Sequence, residues 1–328
     1  MAIVQLTEFL DDLYTTTWQN MKDDAADQIF DATPFWAWMK ANNRMETIEG
    51  GRWIGEPLSY DKNDNISWLR KGSTVSLNDF KHLTTAKYDW RYLSGSLVRF
   101  GVDDQQNRGK NMIIKYLDSK INNTKDALAD EMETRLFGSD GDTDPEHPAF
   151  DGLQILVADD PTASVSIGGF DQSTFDWWRN KTNNMTGVSF ATSGVSRMRT
   201  MFNDVSQNKR NDAPDIIVSG QTPYEYYEDE ALDILQIQNT RMAELGFDHQ
   251  TFKGRPWIWS PACANTRMYF LNTKYLKYVY DPAYFFDMTQ WKDIPDQVND
   301  RAAQILTACQ FITNRRRTQG VIHTIDTA

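Results

Sequence analysis

Cysteine and histidine are scarce, with two of the former and four of the latter in 328 residues. Cys263 and Cys309 are too few for a disulfide framework or a thiolate zinc site. His82, His147, His249 and His323 are far apart in sequence and sit among loop-like residues, so they read as surface side chains. No stretch approaches the roughly 20 apolar residues that would span a bilayer. The start, MAIVQLTEFLDD, lacks a cationic region followed by a long apolar run, so neither a secretory signal nor a membrane partner is expected. Positive charge is short as well. Thirty-four Lys and Arg against 46 Asp and Glu leave a formal charge of −12, which argues against a sequence-reading nucleic-acid binder. Missing too are a G-x-S-x-G elbow, a phosphate-cradling P-loop, a dinucleotide fingerprint and an H-E-x-x-H helix. No enzyme, cofactor or resident metal is expected on these grounds.

What is abundant is aromatic: 11 Trp, 13 Tyr and 17 Phe, which need a core or an interface to bury them. The length allows about two domains. Near the start stands the run Pro34-Phe35-Trp36-Ala37-Trp38-Met39. It reads either as a core anchor or as an arm packing on a neighbouring subunit. Gly50-Gly51 then breaks the chain as a plausible hinge. Residues 52–84 do not read as compact core. A β-like run from Trp53 to Tyr60 is followed by the polar turn Asp61 to Asn65, a short apolar run from Ile66 to Leu69, and the turn Arg70-Lys71-Gly72-Ser73. This predicts a long polar-tipped β excursion; an ordinary surface hairpin is the plainer alternative.

The clearest helix is expected over 107–137. Ile113, Leu117, Ile121, Leu128, Met132 and Leu136 form a single apolar stripe, with Glu131 placed to pair with Arg135. A rod of roughly 40 Å with one stripe wants a sheet or partner along it. Beyond it an α/β lobe is predicted over 150–283. Its strands are expected at Gly152–Val157, Asp215–Gly220, Pro256–Ser260 and Met268–Leu271, and a helix at Ser193–Ser206. A second helix is opened by a capping box at Thr222, Pro223 and Glu225, with Tyr224, Tyr227, Ala231 and Leu235 along one face. Arg301 to Thr313 is predicted as a strand in which Cys309 is a small core residue.

Three features invite chemistry. Asp140, Asp142 and Asp144 alternate like a calcium loop, but Pro145 and Asp151 stand where a glycine and a bidentate Glu are needed, so a solvated acidic loop is expected. Asp171, Asp176, Trp177 and Trp178 suggest a carbohydrate subsite, although nothing fixes the carboxylate pair a glycosidase needs; the plainer reading has the Trp pair anchoring the lobe's core. Arg315-Arg316-Arg317 is the only basic run. It could meet phosphate, or, as favoured here, pair with acidic segments such as Asp11-Asp12 or Asp23-Asp24 of another copy.

Read in order, these pieces resemble the major capsid proteins of tailed bacteriophages with the Hong Kong 97-type coat fold. The resemblance rests on Ile54-Gly55-Glu56-Pro57-Leu58-Ser59-Tyr60 followed by Trp68 and Gly72, on Ala86-Lys87-Tyr88-Asp89-Trp90, on Asn107-x-Gly109 before the long helix, on Met268 to Leu276, and on Cys309 to Arg316 followed by Gly320-Val321-Ile322. It implies an α+β fold with an N-terminal arm at 1–51 and an extended loop at 52–84. A peripheral domain would comprise 85–149 plus 284–328 around spine helix 107–137, and an axial domain 150–283. It implies a coat protein that assembles as hexamers and pentamers into an icosahedral head, enclosing double-stranded DNA without reading its sequence. The head would belong to a virion built in the bacterial host's cytoplasm. A separate scaffolding protein and a portal are the implied partners, with a decoration protein as a further candidate. Trp36, Trp38, Arg52, Trp53, Tyr60, Trp68, Arg70, Lys71, Arg315, Arg316 and Arg317 are the implied inter-subunit contacts. Some relatives crosslink a loop Lys to a neighbour's Asn; Lys71 sits at a suitable tip, but no partner is identifiable. A nanocompartment shell, a portal or tail component, and a sugar-binding protein using the Trp/Asp-rich lobe are the competing readings.

Overall fold

A computed structural model describes residues 33–101 apart from 62, 64 and 76, and then 110–138, 148–206, 212–231, 250–295 and 300–326. The expected calcium-like loop at 140–144, His147, His249, Leu235 and most of the N-terminal arm lie outside these residues.

Two six-stranded sheets organise the chain. The first is built on the strand Arg301–Thr313, found at the bounds its sequence predicts. Arg91–Arg99 runs antiparallel along one of its edges, from Arg301 opposite Arg99 to Cys309 opposite Arg91. The other edge takes Leu276–Tyr280, Asp287–Met288 and Lys292–Asp293 in turn, and Met45–Thr47 adds parallel to Leu276–Tyr280. The second sheet runs Lys181–Asn184, Gly320–His323, Met268–Leu271, Ile216–Ser219, Arg255–Trp259, Gln250–Phe252. Two differences from the sequence expectation follow. The strand at 276–280 belongs to the first sheet, ahead of the expected return at 284, and the strand at 320–323 crosses back to the second.

The long helix covers Lys110–Phe137. Of its stripe, Leu128, Met132 and Leu136 are buried in the core that also holds Leu97 and Ile305, and Arg135 donates to Glu131 at 2.7 Å as expected. No described helix is long and apolar enough to cross a membrane. The helix Phe190–Val205 covers the second sheet with Met198, Met201 and Val205.

Gly152–Val157 is not a strand. Leu153–Leu156 forms one buried helical turn, because a short apolar run carries no periodicity that separates strand from helix. The capping box at Thr222 does not form either. The helix starts two residues earlier, at Gln221–Ala231, and its Gln221 N–H donates to the Asn265 side chain at 3.0 Å. Gly220 permits this early start: a Cβ there would lie 2.6 Å from the Ala264 carbonyl. Tyr224 and Tyr227 pack on Trp257 with ring centres 5.8 and 4.8 Å away.

The aromatic run near the start is an inward anchor. Pro34–Ala41 is a helix with Pro at its start, and Trp36 meets Tyr278, Phe311 and Phe150 at 5.1, 6.1 and 6.3 Å. Trp36 and Trp38 are 1% and 5% exposed. The expectation that they contact a neighbouring subunit is therefore corrected: their rings are consumed by the chain's own core. Cys309 is buried beside them, its thiol pushed up to about 11 by desolvation, and Cys263, likewise buried, is pushed up to about 12. Neither is a ready nucleophile.

Candidate assembly interface

The segment expected as a long excursion has an ordered root and an extended end. Ile54–Ser59 pairs antiparallel with Leu83–Tyr88, and Tyr60 N–H extends the ladder to the His82 carbonyl. Alternate residues of the first strand are buried, the signature of a strand with one face on a core. Beyond Tyr60 no described residue is in a strand until Leu83, so the apolar run Ile66 to Leu69 does not pair as a β excursion would. The turn expected at Arg70-Lys71-Gly72-Ser73 forms, and at the nearer one Asn65 N–H donates to the Asn63 side chain at 2.9 Å. Ser73 N–H donates to the Arg70 carbonyl at 3.0 Å, and Gly72 holds a φ of +89°.

Lys277 clamps the root. Its ammonium lies 2.9 Å from Glu56 and 3.0 Å from Glu46, and Asn314 donates to the same Glu56 oxygen at 2.9 Å. Burial works against charge on Lys277, but the hydrogen bonds to Glu56 and Glu46 outweigh it and its pKa is raised. The loop root, the strand Met45–Thr47 and the first sheet are thus joined at one cation. Gly168 abuts the same root: the Lys87 N–H donates to its carbonyl at 3.0 Å, and a Cβ there would lie 3.0 Å from Ala86.

The end of the segment is unusual in what it exposes. Ile66, Trp68, Leu69, Val75 and Leu77 are all solvent-exposed, and Trp53 and Leu83 join them near the root. These are seven of the twelve large apolar side chains exposed among the described residues. Such concentration on one projection marks an interaction surface rather than ordinary scatter. Arg70 and Lys71 are exposed beside them, and Trp53 lies under Lys87 and Arg52 at 4.9 and 5.8 Å.

The arginine triplet divides three ways. Arg317 is exposed. Arg315 is half-buried, stacked 5.3 Å over Tyr275 and 3.2 Å from Asp212. Arg316 is fully buried. Its guanidinium donates to the carbonyls of Leu156, Trp178 and Ile155 at 2.7, 3.3 and 3.5 Å and to the side chains of Gln172 and Asn180 at 3.0 Å each. Desolvation lowers its pKa to about 10, which leaves it charged at neutral pH. The expectation that Arg316 touches a neighbouring copy is corrected: it staples the turn at 153–156 and the segment 172–180 to the end of the long strand.

The Trp/Asp-rich segment is organised likewise. Trp178 is buried and donates to the Ile167 carbonyl at 3.0 Å. Trp177 packs against Phe170, Phe175 and Tyr60 at 5.4, 5.7 and 5.6 Å. Asp171 accepts from the Ser173 N–H and the Ser164 hydroxyl at 2.8 Å each, bonds that hold its carboxyl below the usual range. Asp176 pairs with Arg179. Between root and segment lies a groove of about 480 Å³ lined by Tyr60, Lys81, His82, Leu83, Phe170, Phe175 and Trp177. Its described lining holds no carboxylate, whereas glycoside hydrolysis would need two. Among the described residues no three His, Cys, Asp or Glu side chains gather to hold a metal ion.

Where the long helix meets the second sheet, Ser260 donates to Glu133 at 2.5 Å. Burial raises the Glu133 pKa against this bond, with Asp130 adding to the rise. A carboxyl whose folded pKa is raised contributes stability below its unfolded value and loses it as pH rises through the folded one. The urea midpoint of Glu133→Gln should therefore fall less than that of the parent between about pH 4.5 and about pH 7. Equal slopes for the two proteins would count against this placement of Glu133.

No sequence-family description matches the chain, and no characterised protein matches it in sequence. Solved structures do match in shape. A chain of the cyanophage A-1(L) capsid superposes with a TM-score of 0.61 at 16% identity, over 86% of this chain and 90% of that one. The encapsulin of Synechococcus elongatus gives 0.53 at 11% identity, over 88% of each chain. A chain of the satellite phage P4 procapsid, solved with its size determination protein, gives 0.52 at 10% identity, over 93% of this chain and 91% of that one. Two sheets, a long spine helix and a projecting loop in this arrangement are the Hong Kong 97-type shell fold, and this chain has it.

Proposed function

We propose that this chain is the major capsid protein of a tailed double-stranded DNA phage, a structural rather than catalytic protein that closes into an icosahedral head as hexamers and pentamers. The observation that carries this reading is the projecting segment 60–82, whose exposed Trp68, Ile66 and Leu77 have no core of their own to enter. On a fold whose relatives build shells, the next subunit is the natural place for them. Arg52, Trp53, Tyr60, Trp68, Arg70, Lys71, Arg315 and Arg317, the expected contacts that keep some exposure, are the residues proposed to meet neighbours. In this reading 52–84 is the loop over the adjacent subunit, the first sheet with helix 110–137 forms the peripheral domain, and the second sheet forms the axial one. A separate scaffolding protein, a portal and DNA are the proposed partners, with assembly in the host cytoplasm.

Negative-stain electron microscopy and sedimentation of the purified protein test this. Closed particles, or capsomers that close when scaffold is added, are expected. A monomer that never assembles, under crowding or with lysate of the native source, overturns the reading. The likeness to an encapsulin favours one second reading, a nanocompartment shell. Enclosed enzyme rather than DNA in particles from the native source would select it.

A further inference from the structure

The groove beside the loop root and the exposed end of the loop are complementary in chemistry, and they are not joined within one chain. Trp68 is fully exposed, so it does not fill its own chain's groove. We propose that the groove at Tyr60, Phe170, Phe175 and Trp177 receives Trp68 from the extended loop of a second copy. The inference rests on the shell reading and adds a specific socket to it.

Two observations support the match. The first is shape and chemistry: the groove is walled by rings set 5.4 to 5.7 Å from Trp177, and its volume of about 480 Å³ accommodates an indole. Ring edges and faces at that spacing favour another ring over an aliphatic chain. The second is area. Ile66, Trp68, Leu69 and Leu77 together present on the order of 600 Å², approaching the roughly 800 Å² per partner of a stable interface.

Repeated head-to-tail, the contact closes into rings or continues into a lattice, whereas a reciprocal two-fold exchange would fill both sockets and stop at a dimer. A contact of this type suits a subunit repeated around an axis.

Paired cysteines test the placement. Trp68 and Leu83 are both exposed, so Trp68→Cys with Leu83→Cys leaves the fold intact, and the native Cys263 and Cys309 are buried. In assembled particles under mild oxidation, the double variant is expected to give a ladder of covalent multimers on denaturing gels, and each single variant none. Particles that form without the ladder overturn the socket and leave the shell reading standing. A parent protein that forms no particles overturns both.

Discussion

Replacing Arg316 by methionine should cost about 3–5 kcal/mol of stability, more than any surface change in the chain, although the new side chain is of similar length and apolar. The reason is what remains behind. The guanidinium serves five acceptors, three of them main-chain carbonyls, and methionine serves none. Leu156, Gln172, Trp178 and Asn180 are buried, so water does not replace the lost donors without opening the core. Lysine keeps the charge but presents it from one nitrogen, which does not fan out to partners on two segments. Arg316→Lys should therefore fall between the parent and Arg316→Met. Urea unfolding of the monomer checks both, and losses under about 1 kcal/mol for the pair would show that the staple carries little.

The second large effect concerns assembly and leaves the monomer untouched. Changing Ile66, Trp68, Leu69 and Leu77 together to serine should leave the urea midpoint of the monomer where it was, since these side chains touch no core, and should abolish shell formation. On the order of 600 Å² at about 25 cal/mol per Å² is about 15 kcal/mol gross. Association takes most of that back in lost freedom of motion. A surplus of only 2.7 kcal/mol is still about a 100-fold change in the concentration at which subunits join. Light scattering against concentration measures it. Shells at the parent's threshold would remove the loop from the interface.

Legibility in the sequence followed periodicity. The long helix was readable because its apolar residues recur at steps of four and seven over more than six turns, and the strand Arg301–Thr313 because a long β-branched and apolar run lies between polar breaks. The resemblance to phage coat proteins likewise depended on the order of such elements. Short runs were not readable: Leu153–Leu156 offers one turn, too little for either period to show. Misreadings at Trp36, Trp38 and Arg316 share another cause. A residue's type states what it can bury, but not whether its own chain or another will do the burying. Arg316 looks like a surface cation in a basic triplet, and only the meeting of residues 155–156, 172, 178 and 180 around it reveals a buried site. The groove was unreadable for the same reason, since its walls come from segments about a hundred residues apart.

The long central strand also sets a timetable. Arg91–Arg99 finds its partner only at residues 301–309, and Met45–Thr47 joins a strand that itself leans on 309–313. Nine-tenths of the chain must leave the ribosome before the first sheet has its middle. Pairings of such sequence separation form late and slowly, and until they form the early apolar segments are exposed to aggregation. A polypeptide cut short by premature termination therefore lacks the strand on which its neighbours depend, and does not reach the folded state that assembly would select. The topology thus makes the folded state depend on its last strands.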